Sequence, residues 1–402
     1  GRPGTTCQTA NVCNGTYPIL RGYYYEKSTT VGYHVCACGG KLYYLSGAGL
    51  DTWTEIGSLN DDVTPPAFLT FNSKLLIADG GHLKTWDGTT FATISSSPKA
   101  NALAVIRGRV VANATDELDS VYFSAPYDAE SADAWNTTTN AVGLKAGYGD
   151  TLAVNAFAVL GDDLIVSKVG AQMRRLYRVN VADPSTLNWY VKDLSQNNAS
   201  QNAHSIVAAW DNVFFVDING FKTLGGTDRY GDLAVDPIGR KINTLFVDTY
   251  ECDFISYLPT LNTIWFNVSD RIFCYTERTD HTSSGGGNRI PAFTDIRFQQ
   301  GHITSVYEAG GEIFLTGYNG YLYKLDDTIA TDEVSPGTSE NYLSAVRTRT
   351  NVFTLDGVLR KLQFYLKPKI AGSGIIKACL VKDEEVILKS ITTLTAGHYL
   401  YD

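Results

Sequence analysis

The stretch Ala309–Asp327, AGGEIFLTGYNGYLYKLDD, predicts two short antiparallel strands joined by a tight turn. Polar and apolar residues alternate over Glu312–Thr316 and again over Tyr321–Leu325, which is typical of half-buried β-strands. The turn between them contains Asn319-Gly320, a pair that tolerates the positive φ angles of hairpins. We therefore expect a β-hairpin in this stretch.

The same arrangement recurs along most of the chain. Each copy has a polar turn, a buried strand, a second turn and a strand of alternating pattern, and successive copies start roughly 30 to 55 residues apart. The earlier copies begin at Gly40, Asn72, Arg107, Gly161, Trp210 and Leu261. This spacing brackets that of four-stranded propeller blades, so we predict an all-β fold with a β-propeller of about seven blades, six being possible. A long β-sandwich would also have regular turns, but shared order and pattern favour the propeller.

The sequence divides into three predicted regions. Residues 1–38 hold strands that either close a blade or join a second β domain, and residues 39–334 form the propeller. After Ser335-Pro336-Gly337 the strands become longer and lose the blade spacing, so residues 335–402 are predicted to be a separate, sandwich-like β domain. One short helical turn is expected after Pro237. In a closed propeller we expect the Asn319-Gly320 turn at one rim.

The composition is typical of a folded protein that does not bind nucleic acid through its phosphates. Hydrophobic residues make up 44% and charged residues 19%, and the net charge is −9. An acidic balance argues against binding DNA by neutralising its phosphates. No apolar run approaches the roughly 20 residues of a membrane span. The chain begins at Gly1 without an initiating Met, from which we infer a processed or trimmed N-terminus.

Four of the seven cysteines lie near the start of the chain and are structural candidates: Cys7, Cys13, Cys36 and Cys38. Their spacing, C-x5-C-x22-C-x-C, does not give the two C-x2-4-C pairs typical of zinc sites. One or two local disulfides and plain reduced thiols both remain open. The odd total argues against a fully oxidised secreted scaffold.

No motif for chemistry is present in the sequence. There is no G-x-S-x-G, no P-loop and no H-E-x-x-H, and the six histidines are scattered. We therefore predict no catalytic residue, no cofactor, no metal and no enzymatic activity.

Two alternative functions stay open. A glycan-binding or glycan-cleaving extracellular propeller is suggested by tryptophans expected in exposed turns, namely Trp53, Trp86 and Trp135. A kelch-like interaction scaffold is suggested by the double glycines at 39–40, 80–81, 225–226 and 310–311.

Three stretches carry a family resemblance. Arg2-Pro3-Gly4-Thr5 resembles an R-P-G motif near the start of the tail nozzle proteins of short-tailed bacteriophages. Asp119–Pro126 followed by Ala134-Trp135 resembles their blade motif of an aromatic strand, a Ser, a small turn and a closing Trp. Val216–Leu224, with the Y-G-D segment that follows it at 230–232, resembles their strand and glycine turn. The similarity runs in order through most of residues 2–330.

This resemblance implies a structural virion protein. Such subunits assemble as a ring, typically of six copies, below the portal and adaptor proteins, and tail fibres or spikes join the same tail. The tube retains packaged double-stranded DNA and conducts it at ejection without sequence specificity or a small-molecule substrate. The implied location is the phage tail, assembled in the host cytoplasm. An acidic wall suits a conduit because it repels DNA and lets it slide.

Overall fold

A computed structural model describes most of the chain up to residue 341 and four strands beyond it. The described residues are 3–15, 17–45, 52–226, 233–242, 246, 251–279, 289–329, 331–341, 364–366, 376–382, 385–391 and 399–401. Within them the regular structure is almost entirely β. Two single 3-10 turns, Thr186–Asn188 and Ile238–Lys241, are the exceptions, and the second confirms the helical turn expected after Pro237.

Six sheets contain four antiparallel strands each, in sequence order, and each is one blade. Blade 1 consists of β2 (Ile19–Ser28), β3 (Val31–Cys38), β4 (Lys41–Leu45) and β5 (Thr54–Ser58). Blade 2 consists of β6 (Ala67–Phe71), β7 (Lys74–Ala78), β8 (Lys84–Trp86) and β9 (Phe91–Thr93). Blade 3 consists of β10 (Leu103–Ile106), β11 (Arg109–Asn113), β12 (Ser120–Phe123) and β13 (Val142–Lys145).

The next three blades repeat this order. Blade 4 consists of β14 (Ala153–Leu160), β15 (Asp163–Val169), β16 (Arg174–Asn180) and β17 (Tyr190–Gln196). Blade 5 consists of β18 (Ile206–Ala209), β19 (Asn212–Asp217), β20 (Gly220–Gly226) and β21 (Leu233–Asp236). Blade 6 consists of β22 (Ile255–Leu258), β23 (Thr263–Val268), β24 (Arg271–Thr279) and β25 (Arg289–Ile296).

Blade 7 is completed by the start of the chain. Its first three strands are β26 (Ile303–Ala309), β27 (Glu312–Gly317) and β28 (Leu322–Asp326). The fourth is β1 (Gly4–Cys7), which runs antiparallel to β28. A further hairpin, β29 (Thr331–Ser335) and β30 (Thr338–Asn341), continues the same sheet, with β29 parallel to β1. The N-terminal strand therefore lies inside the sheet rather than at its edge, paired with β28 on one side and with β29 on the other.

The blades close into a ring. Each innermost strand (β2, β6, β10, β14, β18, β22, β26) contacts the innermost strand of the next blade, and β26 contacts β2. The chain is a seven-bladed β-propeller, which confirms the predicted fold. The opening hairpin supplies β27 and β28 of the last blade.

Two of the predicted boundaries differ in the structure. Residues 19–38 form β2 and β3, which share a sheet with β4 and β5, so this part of the N-terminal region belongs to blade 1. The boundary at residue 335 falls within the β29–β30 hairpin of blade 7. The β29–β30 hairpin joins blade 7 through the pairing of Thr5 with Asp332, a contact between distant segments that local strand patterns do not reveal.

Beyond blade 7 the structure describes four strands. They are β31 (Phe364–Leu366), β32 (Ile376–Lys382), β33 (Glu385–Ile391) and β34 (Tyr399–Tyr401). β32 pairs with β33, and β31 pairs with β34. The rest of residues 342–402 lies outside the described residues, and the predicted sandwich stays a prediction.

Apolar clusters between adjacent blades form the core. Between blades 5 and 6, for example, the rings of Phe221 and Phe266 stack with their centroids 4.4 Å apart. Phe314 and Leu322 of the opening hairpin pack with Ile19 of blade 1, as expected, and Leu325 packs into the cluster between blades 6 and 7. Each fully buried side chain of this kind contributes about 1.5–3 kcal/mol.

Candidate functional site

One face of the propeller carries several polar interactions between blades. Each innermost strand begins on this face. The loops that connect successive blades, and the turn between the second and third strands of each blade, lie on the same face because the chain reverses direction at every hairpin. We call it the upper face. The Tyr318-Asn319-Gly320 turn lies on it, which confirms the predicted rim position.

Contacts across the ring close the centre of the upper face. His204 precedes β18 of blade 5, and its Nε2 donates to the carbonyl oxygen of Pro65, which precedes β6 of blade 2, at 3.1 Å. These blades lie on opposite sides of the ring. Arg21 of blade 1 donates through Nη1 to the carbonyl oxygen of Asp253 before blade 6, at 3.4 Å. These two contacts cross the upper mouth of the axial channel.

Burial sets the charge of these central groups. It lowers the pKa of His204 to about 3, and the nearby Arg21 charge adds to this effect. Burial also lowers the pKa of Arg21 to about 10, against the attraction of Asp253. At neutral pH the centre therefore holds a neutral imidazole and a guanidinium cation. Because a carbonyl oxygen can only accept, the proton of His204 lies on Nε2.

A charged histidine ties blade 6 to blade 7 on the upper face. His302 Nε2 lies 2.8 Å from Asp253 Oδ2, and its Nδ1 lies 2.9 Å from Asp270 Oδ1. The ring of Tyr318 lies against the imidazole, with centroids 4.5 Å apart. The hydrogen bond to Asp253 raises the pKa of His302 to about 9 and outweighs the effect of burial. Both ring nitrogens are engaged, so this histidine acts as a fixed cation rather than as an acid–base catalyst.

Replacing this histidine, His302→Gln, is expected to remove a pH dependence of stability. The folded pKa of about 9 lies above the unfolded value of about 6.5. The ion pair therefore stabilises fully below pH 6.5, and its contribution is lost as the pH rises through 9. We expect the wild type to lose on the order of 1–3 kcal/mol over this window, measured by urea unfolding, and the variant to lose little. His82→Gln is the control, since His82 Nδ1 bonds only the Ser97 carbonyl. An equal loss in all three proteins would contradict the assignment.

Polar residues at the end of the second strand in several blades anchor the loops between blades. Asn113 Oδ1 accepts from the backbone nitrogens of Asn101 and Ala102, both at 3.0 Å. Asn267 does the same for residues 253 and 254 in blade 6. In sequence each anchor follows a run of buried apolar residues. Sequence reasoning missed these anchors, although a polar residue that recurs after the apolar run of the second strand was a usable signal.

A buried lysine joins blades 3 and 4. Lys168 is fully buried, and its Nζ lies 2.6 Å from Asp150 Oδ1, 3.1 Å from Asp119 Oδ1 and 2.6 Å from the carbonyl oxygen of Ala146. Burial alone would raise the pKa of Asp119, but the Gly149 amide and Lys168 lower it overall. Sequence reasoning missed this cluster because its members are far apart in the chain.

Three of the four candidate cysteines come together on the upper face. Cys13, Cys36 and Cys38 are buried in one cluster, and Cys13 Sγ lies 3.1 Å from Cys36 Sγ. Cys7 is separate and donates to the carbonyl oxygen of Thr9. Burial raises the pKa of the Cys13 and Cys36 thiols, which keeps them protonated. Among the described residues, no group of three or more His, Cys, Asp or Glu could hold a metal ion.

The predicted exposure of the tryptophans is wrong. Trp53, Trp86 and Trp135 expose only 8%, 2% and 6% of their surface. Trp86 packs among the rings of Tyr25, Tyr33 and Tyr44. These side chains fill the space beneath the turns and offer no platform for a sugar. The hypothesis of a glycan-binding propeller was based on exposed tryptophans, and these three are buried.

The double glycines do not occupy equivalent places in the blades. Gly39-Gly40 and Gly80-Gly81 lie between the second and third strands of their blades, whereas Gly310-Gly311 lies between the first and second strands of blade 7. Gly225 and Gly226 end a strand. A kelch-like motif would recur at one position. The pairs are therefore local turn and strand features here.

Comparison with known proteins agrees with the fold. No protein-family model matches the sequence, and no curated protein matches it. The extracellular domain of the one component system BT4673 from B. thetaiotaomicron matches with 9% identity and a TM-score of 0.51, over 80% of this chain and 40% of that one. Virginiamycin B lyase from Staphylococcus aureus matches with 10% identity and a TM-score of 0.51, over 80% and 99%. BamB from Moraxella catarrhalis matches with 11% identity and a TM-score of 0.43, over 74% and 79%. At such low identities, the first two matches indicate the fold alone.

Among the described residues, no helix is long and apolar enough to span a membrane.

Proposed function

We propose that this chain is a non-enzymatic structural subunit of a virion. Copies of the propeller assemble side by side into a ring that forms the tail tube or nozzle of a short-tailed phage. The ring retains packaged double-stranded DNA and conducts it at ejection. The proposal rests on the sequence resemblance, and three observations support it: the positions of the family-like residues, the closed upper mouth and the net charge.

The observation that carries the proposal is where the family-like residues lie. Gly4 opens β1, the strand that closes the ring, and a Cβ there would meet the carbonyl oxygen of Thr331 at 2.2 Å. Ser124 Oγ accepts from the amide of Val110, and Trp135 Nε1 donates to the carbonyl oxygen of Ala129 in the long loop of blade 3. These residues close the ring and hold blade 3 together. Such stabilising roles are what a structural subunit of an assembly requires.

The closed upper mouth supports a conduit that lies between copies. His204 and Pro65 meet across the ring, and Arg21 fills the space beside them. A DNA duplex therefore has no route along the axis of one propeller. A tube requires several propellers arranged around a shared lumen, and closed rings are the common outcome of head-to-tail interfaces.

The charge of the chain supports sliding rather than gripping. The net charge of −9 gives a repulsive average field toward phosphates, and a conduit must release its cargo. Binding of duplex DNA to the assembled ring is accordingly expected to be weak and to lack sequence preference.

Assembly of purified protein tests this proposal. We expect the chain, alone or mixed with portal and adaptor proteins, to sediment as a discrete species of roughly six copies. Mass measurement by light scattering gives the copy number, and an unrelated seven-bladed propeller of similar size serves as the control. A chain that stays monomeric at every concentration and does not join portal complexes would contradict the proposal.

A further inference from the structure

The thiol cluster lies where blade 7, which holds both the start of the chain and the last propeller strands, meets blade 1. Cys13 belongs to the segment 8–18, which leads from β1 in blade 7 to β2 in blade 1. Cys36 and Cys38 lie in β3 of blade 1. Residues two apart on a strand point to the same face, so both thiols face the same side of β3.

The segment 8–18 contacts both blades. On one side, the amide of Cys13 donates to the carbonyl oxygen of Gly320 at 2.9 Å, and the amide of Gln8 donates to that of Leu322 at 2.8 Å. Both acceptors belong to blade 7. On the other side, the Cys13 thiol lies 3.1 Å from that of Cys36 in blade 1, and Cys38 belongs to the same buried cluster. A bond between Cys13 and Cys36 would fix this segment, which follows β1 directly, against blade 1.

We propose that Cys13 and Cys36 are a disulfide-forming pair that ties the segment 8–18 to blade 1, with Cys38 as the alternative partner of Cys13. The co-substrate is a low-molecular-weight disulfide such as oxidised glutathione. This inference is independent of the proposed function, because it concerns a bond within one copy.

The chemistry is two successive thiol–disulfide exchanges. The Cys13 thiol loses its proton, and its sulfur attacks the small disulfide, forming a mixed disulfide and releasing one small thiolate. The Cys36 sulfur, after losing its own proton, attacks the Cys13 sulfur and releases the second small thiolate. The two released thiolates take up the two protons. The protein pair is oxidised by two electrons, and the small disulfide is reduced to two thiols.

Burial determines when the exchange takes place. Cys13 exposes 8% of its surface and Cys36 none, and their burial keeps both sulfurs in the thiol form. Only the thiolate reacts, so the closed ring reacts slowly. Exchange is fast when the segment 8–18 detaches or has not yet docked. The disulfide, once formed, is shielded from reductants by the same burial.

A zinc site fits this cluster less well. Two sulfurs bound to one tetrahedral zinc ion at about 2.3 Å lie roughly 3.8 Å apart. The Cys13 and Cys36 sulfurs are closer than that. The third thiol, Cys38, bonds the carbonyl oxygen of Tyr17, and no described histidine or carboxylate completes a metal site.

The test is disulfide mapping of the full chain. Reduced protein is incubated with oxidised glutathione in mild urea, the urea is removed, free thiols are alkylated, and non-reduced peptides are analysed by mass spectrometry. We expect a Cys13–Cys36 peptide as the main product and a Cys13–Cys38 peptide as the minor one. Thermal unfolding of the oxidised protein should shift upward by several degrees, since the cross-link closes a loop of over 20 residues.

Variants make the test specific. Cys36→Ser should move the cross-link to Cys38, Cys13→Ser should abolish it, and the control Cys7→Ser should leave it unchanged. A Cys13 variant that fails to fold does not affect the wild-type peptide map. The proposal would be overturned by cross-links to Cys7, Cys252 or Cys274 instead, by no cross-link at all, by an unchanged unfolding temperature, or by zinc released from the native reduced protein.

Discussion

Deleting residues 1–7 is expected to open the propeller and to cost on the order of 5 kcal/mol or more of stability. The deletion removes β1 from between β28 and β29 and leaves two unpaired strand edges. It also removes the Thr5 hydroxyl that donates to the buried Asp332 carboxylate at 3.1 Å, and the amide of Cys7 that donates to Glu333 at 2.8 Å. Urea unfolding measures the loss, and exposed edges should promote aggregation.

A synthetic peptide of residues 1–12 provides the decisive control for the deletion. Added in excess, it should occupy the open place in blade 7 and restore part of the lost stability. A scrambled peptide should not. If the deleted protein unfolds like the wild type, the N-terminal strand does not close the ring.

The placement of β1 in blade 7 can also be tested with a substitution that adds one methyl group. Gly4→Ala places a Cβ against the Thr331 carbonyl oxygen and should displace β1. Gly143→Ala is the matched control, because Gly143 lies in the fourth strand of blade 3, as Gly4 does in blade 7, and its Cβ would meet its nearest neighbours at an ordinary 3.4 Å. We expect the first variant to lose several times more stability than the second.

Replacing the buried lysine, Lys168→Ala, is expected to cost about 3–5 kcal/mol. The change leaves Asp150 and Asp119 facing each other without their shared cation, and it leaves the Ala146 carbonyl oxygen without its donor. The penalty should shrink as the pH falls toward about 4, because protonation removes the carboxylate charges. Denaturant unfolding at pH 7 and pH 4.5 measures both quantities.

Lys145→Ala is the control for this prediction. Lys145 pairs with Glu117 at 2.9 Å, but both side chains are nearly half exposed, and such pairs contribute about 0–1 kcal/mol. A similar cost for both lysine variants would show that the buried cluster carries no special share of the stability.

Much of the fold could be predicted because it repeats locally. The alternation around Asn319-Gly320 and its copies depends on neighbouring residues, so the sequence predicts the strands and about seven blades. It was harder to predict from the sequence which segment supplies the fourth strand of blade 7. Whether residues 4–7 pair with Leu322–Asp326 depends on a contact across most of the chain length, and a four-residue strand has little pattern of its own.

The sites were predicted less well because they are assembled from distant residues. His302 meets Asp253 across 49 positions, and His204 meets Pro65 across 139. Neither pair has a spacing that a motif could reveal. For the tryptophans, in contrast, the sequence suggested a surface site that the structure does not have. Trp86 sits beside a turn in sequence, which suggested exposure, yet its ring packs between blades 1 and 2.

Electron microscopy of the assembled protein tests the central claim most directly. The account predicts a ring of propellers around a shared open lumen, with the axial mouth of each propeller closed where His204 meets Pro65. Single propellers under all conditions, including in the presence of portal and adaptor proteins, would contradict it. So would DNA density running through the axis of one propeller.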